Sequence, residues 1–153
     1  MSIFDRWNKF FVSLGVGLLP KAPGTWGSLL GLALMVLLWP TMSVGIILFV
    51  VSSVLWFVSV HRYISVTGDH DPKEVIVDEV LGLWLTLSPL LGGPISWSLV
   101  GLGFVVFRVL DILKPGPIGW VDQKAPGVWG VMGDDLLAGV FGAIILQLVL
   151  WAV

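Results

Sequence analysis

The chain has 153 residues, of which 57% are hydrophobic and only 12% are charged. That charge fraction is about half the share typical of water-soluble domains, which places the chain in a bilayer. A net charge of −2 with scattered Lys and Arg gives no basic field for nucleic acid, and the lack of cysteine excludes disulfides, thiolate metal sites and thiol nucleophiles.

In chain order, residues 1–26 read as an interfacial lead-in. Met1 to Lys9 alternates charged and aromatic residues without the apolar core of a signal peptide, and Phe4, Trp7, Phe10 and Phe11 are expected to face lipid. Three stretches then lack any charge: Gly27 to Val60, Val80 to Phe107, and Leu136 to Val153. Pro40 divides the first, predicting helices over residues 28–39 and 43–63. Pro89 and Gly92-Gly93-Pro94 break the second, predicting helices over 75–91 and 95–114, and the third predicts a helix over 136–153. The expectation is a single all-α, polytopic membrane domain over 1–153 with four to five embedded helices, some short or re-entrant.

With five segments, every Lys and Arg falls on one face. Arg6, Lys9 and Lys21 precede the first segment, Arg62 and Lys73 follow the second, and Arg108, Lys114 and Lys124 follow the fourth. The positive-inside tendency makes that face cytoplasmic. The carboxylates share it, so an apolar bundle would carry one chemically equipped surface.

Lys21-Ala22-Pro23-Gly24 recurs as Lys124-Ala125-Pro126-Gly127, each copy just before an apolar helix. A helix N-terminus beside a lysine has phosphate-binding character, although Pro and Gly also simply start helices. Asp78 and Glu79 stand against a long apolar run, where an ionised carboxylate is costly unless paired or metal-bound. Arg108, Asp111 and Lys114 share a helix face at spacings of three, as an ion-paired terminus or as a site where Asp111 joins a carboxylate cluster and the cations hold phosphate. Asp134 and Asp135 open the last segment and alone would pass for helix caps. Together these acids abut different helices on one side, and converging hard oxygen ligands suit Mg2+. His61 and His70 are the only histidines and read as structural.

Four blocks carry a family resemblance: Leu19–Ser28, Ile76–Gly82, Phe107–Ile118 and Gly130–Gly139. In this order they resemble the phosphatidylglycerophosphatase A family, across nearly the whole chain. The resemblance implies a Mg2+-dependent hydrolase of bacterial inner membranes that converts phosphatidylglycerol phosphate to phosphatidylglycerol and inorganic phosphate. It also implies that Asp71, Asp78, Glu79, Asp111, Asp134 and Asp135 occupy the family's acidic positions; the second Lys-Ala-Pro-Gly copy departs from the pattern. On this basis Asp78, Glu79 and Asp135 are expected to hold Mg2+, with Asp111 or Asp71 as base or further ligand. Lys21, Gly24, Thr25, Arg108 and Lys114 are expected to receive the phosphate. The competing expectations are a small ion channel or transporter with carboxylates along a membrane path, and a non-catalytic lipid-binding scaffold.

Overall fold

A computed structural model describes residues 2–152; Met1 and Val153, the ends of the lead-in and of the last predicted segment, lie outside the described residues. Within them every regular element is helical: α1 (Ile3–Ser13), α2 (Pro23–Leu38), α3 (Met42–Thr67), α4 (Val77–Leu87), α5 (Trp97–Leu113), α6 (Pro117–Lys124) and α7 (Val128–Ala152). Single 3-10 turns occupy Val16–Leu18 and Ser88–Leu90. Two helices, α3 with 26 residues and α7 with 25, are long and apolar enough to cross a membrane.

The lead-in contains α1 and the first turn of α2. Ser2 and Asp5 cap α1 reciprocally: the Asp5 N–H donates to Ser2 Oγ at 3.1 Å and the Ser2 N–H to Asp5 Oδ2 at 2.9 Å. The Asn8 amide donates to the Ser59 carbonyl at 3.0 Å and Arg62 pairs with Asp5 at 3.0 Å, which docks α1 on α3. Phe4, Trp7, Phe10 and Phe11 are exposed as expected, Phe11 the least of them, with its ring 6.3 Å from that of Trp56 on α3.

Two predicted helix starts are too late. Pro23 is the first residue of α2, its fixed φ suiting a position whose N–H is unbonded in any helix, so α2 begins five residues before Ser28. Helix α7 begins at Val128, eight residues before Leu136. Asp134 and Asp135 therefore lie inside α7 and are buried, which overturns their reading as caps. Helix α3 runs beyond Tyr63 to Thr67 and stops at Gly68, whose φ of 71° ends it in the left-handed region. Helix α6 was not anticipated: Pro117 starts it and buried Ile118 anchors it.

Helix α4 is the centre of the bundle, packed by α2, α3, α5 and α7. Val80, Leu81, Leu83 and Leu87 are fully buried, and Trp84 donates to the Gly31 carbonyl of α2 at 2.8 Å. Helices α4 and α7 come nearest at two glycines. A Cβ on Gly82 would lie 2.5 Å from the Asp135 carbonyl oxygen, and one on Gly139 2.6 Å from the Gly82 carbonyl oxygen. This backbone-to-backbone approach is the small-residue packing usual where helices meet in lipid.

Glu74 fixes the loop that leads into α4, accepting from the Tyr63 hydroxyl at 2.6 Å and pairing with Lys9 at 3.3 Å. The Tyr63 hydrogen bond foremost, and Lys9 after it, hold the Glu74 carboxyl below the ordinary carboxylate range against partial burial. A depressed pKa stabilises the fold above the unfolded-state value, and that contribution is lost as pH falls through the folded-state value. Tyr63→Phe is therefore expected to lower Tm at neutral pH and to lower it less in acid, as thermal unfolding in detergent would measure.

Candidate active site

Where the loop between α3 and α4 meets the near ends of α2, α4, α5, α6 and α7, a polar cavity of about 200 Å³ opens. Its walls include Asp71 and Lys73 from the loop, Asp78 and Glu79 from α4, Asp111 from α5, Asp122 from α6, and Asp134 and Asp135 from α7. The six acids singled out from the sequence are thus brought to one place by four separate parts of the chain.

The innermost group is Asp78, Glu79 and Asp135, each offering a carboxylate oxygen within 4.8 Å of the others. The contact between Gly82 and Gly139 explains the convergence. Asp78 and Asp135 each stand four residues, one helical turn, before the glycine at which their helices touch. Gly24 lets α2 close against the same point, since a Cβ there would run into Glu79 Oε1.

The cations are engaged elsewhere. Arg108 pairs with Asp111, as their spacing of three suggests, and also donates to Ser28 Oγ at 3.1 Å and Thr25 Oγ1 at 3.3 Å. Lys114 bridges Asp122 and Asp134, the latter at 2.7 Å. Among the described residues no salt bridge reaches Asp78, Glu79 or Asp135. Asp78 and Asp135 are only 7% and 4% exposed, and the buried Glu79 Oε2 and Asp135 Oδ1 have no hydrogen-bond partner among the described residues. Buried carboxylate oxygens without donors are costly unless a cation meets them, so this donor set fits a hard divalent metal.

Not every expected residue lines the cavity. Gly24 and Lys114 do; Arg108 and Thr25 hold one another beside it, and Lys21 is exposed outside the lining. The two Lys-Ala-Pro-Gly copies are not equivalent, because α2 starts at the Pro of the first while α7 starts after the Gly of the second. The N–H groups of Thr25 and Trp26 turn back to the Ala22 carbonyl at 3.0 and 3.2 Å, so the first turn of α2 is largely closed on itself. Lys73 and Asp122 also line the cavity and were not singled out. For Lys73 the signal was its place beside Asp71, whereas Asp122 arrives only through the unanticipated α6.

A family model described as phosphatidylglycerophosphatase A matches residues 10–150. The chain belongs to the phosphatidylglycerophosphatase A family. It is 37% identical over 153 residues to the Escherichia coli (strain K12) protein of that name, covering 97% of this chain and 86% of that one. It is 35% identical over 149 residues to the Haemophilus influenzae (strain ATCC 51907 / DSM 11121 / KW20 / Rd) protein of the same name, covering 95% of this chain and 90% of the other. No solved structure matches the chain. The matched region includes segments that wall the cavity: Ile76–Gly82 carries Asp78 and Glu79, and Gly130–Gly139 carries Asp134 and Asp135.

Proposed function

We propose that the chain hydrolyses phosphatidylglycerol phosphate to phosphatidylglycerol and inorganic phosphate, at the cytoplasmic face of a bacterial inner membrane that it crosses several times. The observation that carries this reading is the trio of Asp78, Glu79 and Asp135 at the floor of a polar cavity, reached by no salt bridge among the described residues and with Glu79 Oε2 and Asp135 Oδ1 left without donors, in a chain of this family. These residues would hold Mg2+, with Asp111 near enough to join them. Bound there, the cation would neutralise phosphoryl oxygens and make a bound water more acidic.

The remaining residues have distinct tasks. Lys114, oriented by Asp122 and Asp134, and Lys73 line the cavity and would present N–H donors to the phosphate, while Arg108, oriented by Asp111 and Thr25 beside the cavity, would add a guanidinium from its edge and Gly24 leaves room for the anion. Lys21, exposed just ahead of α2, would meet the anionic lipid before it enters the cavity. Water attacks phosphorus, Asp71 or Asp111 accepts its proton, and the bond to the glycerol oxygen breaks, that oxygen taking up a proton as it leaves.

The channel reading is disfavoured by where the charges stand. They gather at one end of the bundle, and the cavity between α2, α3 and α4 farther down is walled by apolar side chains. The test is phosphate release from phosphatidylglycerol phosphate by the purified protein with Mg2+ and with chelator. Release that requires Mg2+ is expected, and no release under either condition would overturn the reading.

A further inference from the structure

We infer that the apolar cavity between α2, α3 and α4 holds one acyl chain of the lipid whose phosphate enters the acidic cavity, and so selects substrates by chain length. The inference rests on the phosphatase reading above. The cavity has a volume of about 290 Å³ and is walled by Met35 and Leu38 of α2, Leu48 and Phe49 of α3, and Trp84 and Leu85 of α4.

Its chemistry admits only hydrocarbon. Ser88 supplies the one hydroxyl on its wall, and that hydroxyl donates to the Leu85 carbonyl at 2.7 Å; the Trp84 N–H donates to the Gly31 carbonyl at 2.8 Å. A headgroup or a water would find no free partner there, whereas a methylene chain needs none.

Its position matches the depth of an acyl chain. The same two helices frame both cavities, with Gly24 and Glu79 at the acidic one and Met35 and Trp84 at the apolar one. At 1.5 Å per residue, Trp84 lies about 8 Å below Glu79, and Leu38 about 21 Å below Gly24. A lipid with its phosphate among the acids would lay the methyl-terminal half of a chain in this interval, since one leaflet of hydrocarbon is about 15 Å deep. The cavity has an open side and a closed end. Exposed Leu38, Met42 and Ile46 give access from the lipid side, while Leu91 packs so tightly on α3 that a Cβ at Gly45 would lie 2.5 Å from its Cδ1. A closed end limits length.

The experiment compares kcat/KM for long-chain (palmitoyl and oleoyl) and short-chain (butanoyl) phosphatidylglycerol phosphate in the parent, Leu48→Trp and Leu91→Ala proteins. Leu48→Trp, which fills the cavity, is expected to raise KM for the long-chain lipid about tenfold, the equivalent of about two buried methylenes, and to leave the short-chain lipid unchanged. Leu91→Ala, which opens the closed end, is expected to shift preference toward longer chains. Equal losses on both lipids, or no change on either, in an active parent would overturn this inference alone. A parent that releases phosphate from neither lipid would overturn the phosphatase reading and this inference with it.

Discussion

Asp78→Asn and Asp135→Asn are each expected to reduce phosphate release at least about a hundredfold while leaving the fold as stable as the parent's, or more stable. Both carboxylates are buried, no salt bridge compensates either, and Asp135 Oδ1 lacks a donor. The amide keeps the shape and removes one carboxylate from a buried cluster of acids, so the fold gains where the chemistry loses. Mg2+ should separate the two effects. A cation bound only by the folded state stabilises it by mass action, about 2.7 kcal/mol at a hundred times Kd. Thermal unfolding in detergent should therefore show a Mg2+-dependent rise in Tm for the parent and little rise for either variant. Full activity in both variants would refute the assignment of these ligands.

Gly139→Ala is expected to destabilise the protein by about 1–3 kcal/mol, the usual result of forcing a methyl group into a packed contact, and to lower activity with it. The added carbon would lie 2.6 Å from the Gly82 carbonyl oxygen and 3.1 Å from the Gly82 Cα, neither of which can rotate away. Helices α4 and α7 would have to part, and the carboxylates one turn above the contact would part with them. Gly101→Ala on α5 is the control, because nothing lies within 4 Å of its would-be Cβ. Removing a helical glycine there should be neutral or stabilising by up to about 1 kcal/mol. Equal Tm and equal activity in the two variants would show that the glycine contact does not govern the site.

Much of the fold was legible because one signal, charge against long apolar runs, marks both helices and their polar ends. It marks the five apolar segments and five of the six acids that meet in the cavity, whereas Asp71, in a polar loop, is indicated only by the family resemblance. The same signal misplaced the start of α7, since a boundary drawn at Asp134 assumes that acids sit at helix ends in water; here they sit inside a helix and face a shared polar pocket. Helix α6 escaped notice because eight residues with one buried anchor carry too little periodicity to register. The bridge from Lys114 to Asp122 and Asp134 was equally hidden, since it depends on α6 turning back over the site and not on any local spacing. Arg108 and Asp111, three apart on α5, formed the pair their spacing suggested.

The short helices around the site have a mechanical corollary. With 16 residues in α2 and 17 in α5, these helices reach about 24–26 Å, less than a hydrocarbon slab of about 30 Å. In a membrane such a mismatch is relieved by pinching the bilayer around the protein. The dimple would lower the headgroup plane toward the acids, so a lipid's phosphate could reach the reacting groups without leaving its own leaflet.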